Sequence, residues 1–126
     1  MNFIDSMLKF LGQKSVVISD SGSSNDLHWI KYADGTAKIY GTVNYNAGTG
    51  TVLAGTNNTV YYKALSILIP IALTSIDNID TSLKGSAGTL TIGEIEGSVL
   101  NMVVTRLGNS NIGSGQINLN IKGTWK

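Results

Sequence analysis

Apolar and polar residues alternate strictly along the last stretch of the chain, residues 116–125. One set of alternate positions consists of Ile117, Leu119, Ile121, Gly123 and Trp125. The positions between them hold amides, a lysine and a threonine. Because successive side chains of a strand point to opposite sides, this pattern predicts a strand with one buried face and one wetted face.

Further strand candidates lie upstream. The longest covers residues 59–69 and has apolar residues on both faces, which is typical of a strand buried on both sides. Pro70 marks its end, an edge or a bulge, because proline cannot donate to a strand ladder. Shorter candidates lie at residues 16–18, 72–76, 90–92 and 98–107. Segments rich in Asn, Asp and Gly predict a loop over 44–51 and turns over 77–80 and 108–115.

The stretch from His28 to Gly41 predicts a β-hairpin folded about Asp34-Gly35. A type I′ turn requires positive φ at both central residues, which Gly adopts freely and Asp tolerates. Several short strands at this spacing predict a mainly β fold, either an antiparallel β-sandwich or a jelly-roll-like domain. A short N-terminal α-helix is expected in addition.

That helix is predicted over residues 2–11 and ends at Gly12. Its apolar stripe at helical spacing consists of Phe3, Ile4, Met7, Leu8 and Leu11. A helix of this length is marginal alone, so we expect the stripe to contact the chain's own sheet, another copy or a neighbouring protein. The Ser-rich segment 19–26 predicts a linker. The expected organisation is an attachment segment or oligomer collar over 1–26, followed by a β domain over 27–126.

Composition narrows the possible function classes. The chain has 126 residues, no Cys and a formal net charge of +1, which fits one domain without disulfides. Charged residues form only 13% of it, so copies of the chain repel one another weakly and an oligomer is favoured. Lys and Arg do not cluster, which argues against a nucleic-acid partner. We expect no signal peptide, since Asp5 lies within the N-terminal apolar stretch and no basic region precedes it. We expect no membrane insertion, since the apolar run 64–73 is too short to span a bilayer.

Candidate catalytic and metal-binding groups are sparse. His28 is the only histidine, and nothing in its spacing assembles a triad. Glu94 and Glu96 supply two carboxylates, but acids two apart on a strand lie side by side and not across a scissile bond. Asp77, Asn78 and Asp80 offer oxygen ligands for calcium without an EF-hand pattern. We therefore expect no enzyme activity, no metal and no cofactor.

Six residues in Asn- and Gly-rich segments are candidates for binding a saccharide: Tyr45, Asn46, Asn57, Asn58, Asn109 and Asn111. Aromatic faces stack on the C–H surface of sugars, and amides donate to and accept from hydroxyl groups. Asn also occupies turns for backbone reasons alone, so each of these positions has a second interpretation.

Two short motifs bracket the β region. The hairpin motif is Trp-Ile-Lys-Tyr-Ala-Asp-Gly-Thr over 29–36, and the closing motif is Gly-Thr-Trp-Lys over 123–126. Together they resemble the C-terminal domains of bacteriophage tail-fibre and receptor-binding proteins. The resemblance implies a homotrimeric virion tail component that contacts other tail or baseplate proteins. It also implies synthesis in the host cytoplasm without a signal peptide, and adhesion to a bacterial surface polysaccharide or teichoic acid by avidity.

Three alternatives remain open at this point. The chain is also consistent with a saccharide-binding module unrelated to phage, and with a particle-decoration protein. A small glycan hydrolase that uses Glu94 and Glu96 is a weaker alternative. Oligomeric state, binding to host cells and turnover of a surface glycan separate these hypotheses.

Overall fold

Nine strands, all paired antiparallel, form the part of the chain that the computed structural model describes, residues 17–85 and 88–126. In chain order they are β1 (Ile18–Ser24), β2 (Leu27–Tyr32), β3 (Thr36–Thr49), β4 (Thr51–Val52), β5 (Val60–Leu68), β6 (Ser75–Lys84), β7 (Thr89–Glu96), β8 (Val99–Leu107) and β9 (Asn111–Thr124). The helix predicted over residues 2–11, with its stripe of five apolar side chains, lies outside the described residues. Within the described ranges there is no helix long and apolar enough to cross a bilayer.

The strands form two sheets that pack face to face. A five-strand sheet has the order β1-β2-β3-β9-β6, and a four-strand sheet has the order β4-β5-β8-β7. Their inner faces share one hydrophobic core, to which both sheets contribute buried side chains. The predicted mainly β sandwich is therefore confirmed.

Strands β3 and β9 form the centre of the five-strand sheet and pair along almost their whole length. Ile117, Leu119 and Ile121 are buried, as the alternation of this segment predicts, and they pack with Leu100 and Met102 of the opposite sheet. Fully burying a Leu, Ile or Met side chain contributes about 1.5–3 kcal/mol. The sandwich is therefore stabilised mainly by this shared interior.

The long central strands also reach beyond the main core. At their far end Ala47 and Ile112 pack on Val104 of β8, which forms a second, smaller buried cluster. Tyr45 packs against both clusters and links them. The predicted loop over residues 44–51 is wrong here, because β3 continues to Thr49 through irregular pairing at Gly48.

The strand predicted over residues 59–69 is present as β5, but it is not buried on both sides as predicted. Its inner face packs on the core through Leu65 and Ile67. Its outer face leaves Ala64, Ser66 and Leu68 exposed, so the strand is covered on one side only. Pro70 follows the end of the strand.

The β2–β3 hairpin is confirmed, but its turn is not of type I′. The Gly35 N–H donates to the Tyr32 carbonyl oxygen at 3.0 Å, and Gly35 has a φ of 96°, whereas Asp34 is outside the positive-φ region. This is a type I turn followed by a left-handed glycine. The Asp34 carboxylate closes the turn by accepting hydrogen bonds from the Thr36 N–H at 2.9 Å and the Thr36 hydroxyl at 2.6 Å.

Three other segments differ from expectation because backbone pairing does not require apolar side chains. The Ser-rich segment 19–26 is not a linker: it forms most of edge strand β1 and a turn at Asn25 and Asp26, whose φ angles are 53° and 67°. The predicted turn over 77–80 lies inside β6, with a bulge between Ile76 and Asn78. The turn predicted over 108–115 is shorter, since β9 begins at Asn111.

Candidate functional site

The turn between β4 and β5 is built around two candidate residues. Asn57 and Asn58 have φ angles of 52° and 58°, and the Thr59 N–H donates to the Thr56 carbonyl oxygen at 3.1 Å. This is the type I′ geometry, which Asn tolerates better than other residues that have a Cβ. Both side chains are exposed. The backbone explains why Asn occurs here, and the geometry leaves two amides in solvent.

The turn between β8 and β9 uses its asparagines in a related way. The Asn109 side-chain oxygen accepts the Asn111 N–H at 2.9 Å, which is an Asx-turn. Gly108 precedes it with a φ of 70°. The side chains of Asn109 and Asn111 are both exposed.

Backbone hydrogen bonds bring these two turns together. The Gly108 N–H donates to the Thr59 carbonyl oxygen at 2.7 Å, and the Gly50 N–H donates to the Ser110 carbonyl oxygen at 2.7 Å. We call this surface, formed by Gly50, residues 56–59 and residues 108–111, the loop end. It collects four of the six predicted binding residues at one end of the sandwich: Asn57, Asn58, Asn109 and Asn111.

Arg106 holds the loop end to the sandwich. It lies opposite Tyr61 on the inner face of the four-strand sheet and is half-buried. Its guanidinium Nη1 donates to the Asn111 carbonyl oxygen at 2.6 Å, which joins β8 of one sheet to β9 of the other. The sequence gives one signal for this residue, namely that it is the chain's only arginine.

The remaining two candidates lie elsewhere. Tyr45 is half-buried, and its hydroxyl oxygen is buried with no hydrogen-bond partner among the described residues. Asn46 is exposed on β3, where it pairs with Ser114 of β9. Neither belongs to the two turns of the loop end, so the six residues do not form one continuous site.

The opposite end of the sandwich has a different chemistry. The Trp125 indole N–H donates to the Tyr32 carbonyl oxygen at 2.9 Å, and the Trp125 N–H donates to the Gly35 carbonyl oxygen at 2.9 Å. The ammonium group of Lys31 lies 5.1 Å from the Trp125 ring centre and 5.7 Å from that of Trp29. We call this surface, formed by residues 31–35 with Trp125 and Lys126, the hairpin end.

The candidate catalytic and metal-binding residues are scattered. His28 stacks on Tyr40 with ring centres 5.4 Å apart. Glu94 and Glu96 are exposed along β7. The Asn78 amide donates to the Asp80 carboxylate at 3.0 Å, and the described residues contain no group of three or more His, Asp or Glu arranged to hold a metal ion.

No protein-family model matches the chain, and no curated protein matches it. Two solved structures are similar to it. The C-terminal part of the P. aeruginosa R1 pyocin fibre matches with a TM-score of 0.52 and 15% identity, over 98% of this chain and 32% of that one. An N-truncated R1-type pyocin tail fibre matches with a TM-score of 0.44 and 15% identity, over 98% of each chain. The chain therefore spans about a third of the length of the first fibre fragment and shares the fold of that part.

Proposed function

We propose that this chain is a structural and adhesive domain of a phage tail or a related particle. In this proposal it assembles as a homotrimer, contacts other tail or baseplate proteins, and binds a bacterial surface polysaccharide or teichoic acid without covalent chemistry. The observation that carries the proposal is the shared fold with the C-terminal part of a pyocin fibre over 98% of the chain. The hairpin and closing motifs of the sequence support it independently.

The loop end supports the adhesive part of the proposal. Four exposed asparagines in two hydrogen-bonded turns present amide donors and acceptors on one small surface: Asn57, Asn58, Asn109 and Asn111. Hydroxyl groups of a glycan both donate hydrogen bonds to such amides and accept hydrogen bonds from them. Each site is expected to be weak because its four side chains are exposed to water, so useful affinity requires several copies on one assembly.

The outer face of β5 and β8 supports self-association, which the proposed homotrimer requires. By strand alternation this face carries no charged side chain and is formed by Val60, Tyr62, Ala64, Ser66, Leu68, Val99, Asn101, Val103, Thr105 and Leu107. Leu68 is 54% exposed and Leu107 is 76% exposed in the single chain. A second copy on this face would bury both, and Glu96 of β7, which pairs with Val99, borders the face at its edge. Such a copy would also give β5 the two-sided burial that its apolar pattern predicts.

Cell binding tests the adhesive role. The purified chain is incubated with intact cells of candidate hosts and with their isolated wall polymers, and retention is measured. We expect retention on at least one host and its polymer. A variant carrying Asn57→Gly and Asn58→Gly keeps the positive-φ turn but removes both amides, so we expect it to bind less. No retention on any host or polymer would contradict the proposal.

A matched control separates amide chemistry from turn geometry. Asn25 and Asp26 occupy an equivalent positive-φ turn in the β1–β2 hairpin, outside the loop end. The variant Asn25→Gly and Asp26→Gly is expected to bind as the unchanged chain does. Equal losses in both variants would point to a general effect of the glycines on the fold.

Oligomeric state tests the structural role. Sedimentation or light scattering of the unchanged chain is expected to give the mass of a trimer. Ala64→Lys places a charge at the centre of the β5/β8 outer face and is expected to yield monomers, whereas Ser23→Lys on exposed β1 leaves the trimer intact. A monomeric unchanged chain that still binds a glycan would favour a saccharide-binding module unrelated to phage.

A further inference from the structure

The outer face of the β2–β3 hairpin is aromatic where a wetted sheet face is normally polar. The pairing His28 with Tyr40 and Ile30 with Lys38 places all four side chains on this face, and Tyr32 follows them by alternation on β2. The rings of His28 and Tyr40 stack 5.4 Å apart at an interplanar angle of 29°, and Tyr40 remains 36% exposed. His28 is exposed as well, so the stacked pair meets solvent along its outer side.

Two lysines on adjacent strands lie next to this stack. Lys38 of β3 pairs directly with Lys122 of β9, so both side chains leave the same face as cross-strand neighbours. Like charges in directly opposed positions of a sheet destabilise it. The Lys38 ammonium lies 5.2 Å from the Tyr40 ring centre. The positive charges and the aromatic surface are therefore continuous.

A groove connects the two lysines to the rest of the hairpin. It encloses about 380 Å³ and is lined by both lysines together with Tyr32, Thr36 and Asp77. Asp77 is the acidic group at this groove, so the lysines outnumber the carboxylate two to one. The groove is a cationic recess at the edge of an aromatic platform.

We propose that this surface, which we call the hairpin face and define as His28, Tyr32, Lys38, Tyr40 and Lys122, binds an anionic saccharide. A sugar ring packs on the solvent-facing side of the His28 and Tyr40 pair, and a phosphate or carboxylate on the glycan contacts Lys38 and Lys122. A neutral glycan leaves this groove with two ammonium groups against the single carboxylate of Asp77. This inference rests on the proposed adhesive function and assigns it a second contact, separate from the loop end.

Immobilised phosphomannan, polygalacturonate and uncharged mannan are suitable probes, because they present phosphate, carboxylate and no charge. Binding of the unchanged chain is measured at low and high salt. We expect tighter binding to an anionic polymer than to mannan, with the difference lost at high salt because exposed charges are screened. The preference between phosphomannan and polygalacturonate identifies the anion.

The decisive variant carries Lys38→Gln and Lys122→Gln. We expect it to lose about tenfold in affinity for the anionic polymer, which is the scale of one strong polar contact. The control carries Lys63→Gln and Lys84→Gln, which removes the same charge from exposed positions away from the hairpin face. Tyr40→Ala is expected to weaken binding to charged and uncharged mannan alike, because the stacking surface is lost.

Three results would overturn the inference: equal binding to mannan and to both anionic polymers, equal losses in the two double-lysine variants, or no binding to any probe. Thermal unfolding of each variant shows that a loss is not a folding defect. Cell retention distinguishes the two proposals. If the Lys38→Gln and Lys122→Gln variant binds host cells as the unchanged chain does, the hairpin face is wrong and the adhesive function stands. If the unchanged chain binds phosphomannan but no cells, the hairpin face stands and the adhesive function is wrong.

Discussion

The two ends of the sandwich are built by different means. The loop end is held by backbone hydrogen bonds between turns and by one guanidinium, and its asparagines project into solvent. The hairpin end is held by the indole of Trp125, which packs against the main core and donates to the Tyr32 carbonyl oxygen. One end is therefore fixed through the main chain, and the other through large side chains.

This difference shows which substitutions each end tolerates. At the exposed asparagine turns of the loop end a side chain can be exchanged if the replacement accepts the same φ, whereas a Cβ on Gly50 would overlap the Ile112 side chain and approach the Tyr62 carbonyl oxygen. At the hairpin end a change in side-chain volume lowers the stability of the fold, because close-packed neighbours cannot relax. The exposed turn positions of the loop end are thus free to vary, whereas Trp125 at the hairpin end is constrained by packing.

The largest expected effect is Gly123→Ala, near the hairpin end. A Cβ at this position would overlap the Ser75 carbonyl oxygen and approach the Ile76 Cα to 3.2 Å. Backbone cannot yield as a flexible side chain does, so we expect a loss of about 3 kcal/mol or more. Urea unfolding measures it. Gly108→Ala at the loop end, where no atom lies within 4 Å and φ is 70°, is the matched control and costs about 1 kcal/mol. Equal costs would remove the contrast between the ends.

Trp125→Ala is expected to cost about 2–3 kcal/mol, somewhat less than a fully buried tryptophan, because the ring is half-buried. Trp125→Phe keeps an aromatic ring beside Lys31 but cannot donate to the Tyr32 carbonyl oxygen, so it costs about 1 kcal/mol. Thermal unfolding of the two variants separates ring packing from the hydrogen bond. A Phe variant as unstable as the Ala variant would show that the hydrogen bond dominates.

Arg106→Ala tests the main anchor of the loop end. The variant loses a charge-assisted hydrogen bond to the Asn111 carbonyl oxygen, and we expect a cost of about 1.5 kcal/mol. Amide hydrogen exchange should rise selectively at residues 108–111 and leave the hairpin end unchanged. Lys84→Ala, a change at an exposed position, serves as the control. Uniform exchange along the chain would contradict a local anchoring role.

The smallest expected effect is at the β4–β5 turn. Asn57→Ala and Asn58→Ala place alanine at positive φ, and each is expected to cost about 1 kcal/mol. Asn57→Gly and Asn58→Gly adopt the same φ without strain and are expected to keep the stability of the unchanged chain. Chemical denaturation of the four single variants measures the difference. An equal cost for Gly and Ala would mean that the amides, and not the φ angles, stabilise the turn.

The sequence predicts strands best where side-chain periodicity and burial coincide. Ile117, Leu119 and Ile121 are buried as predicted because one face of β9 has to pack on the opposite sheet. The sequence predicts strands poorly where backbone pairing alone forms them. The segment Ile18–Ser24 is exposed throughout and carries no apolar period, yet it pairs with β2. Asp77 and Asn78, typical turn residues, lie in a bulged strand for the same reason.

The candidate site residues also divide into those that the local sequence indicates and those that only distant pairing brings together. Asn57 and Asn58 are recognisable from sequence as turn residues, but nothing local indicates that their turn lies against Gly108. Lys38 and Lys122 are ordinary surface lysines in the sequence, separated by most of the β region. Only the β3–β9 register makes them neighbours.

By itself the sequence determined that the chain is strand-rich, that β9 has one apolar face, and that a hairpin closes near Asp34 and Gly35. These properties follow from local periodicity and turn preference. The tertiary structure alone decided which turns form the loop end, which face of β5 stays open, and which charges and rings share the hairpin face. Pairing between distant strands sets those neighbours, and a shift of one residue in register would exchange every inner side chain with an outer one.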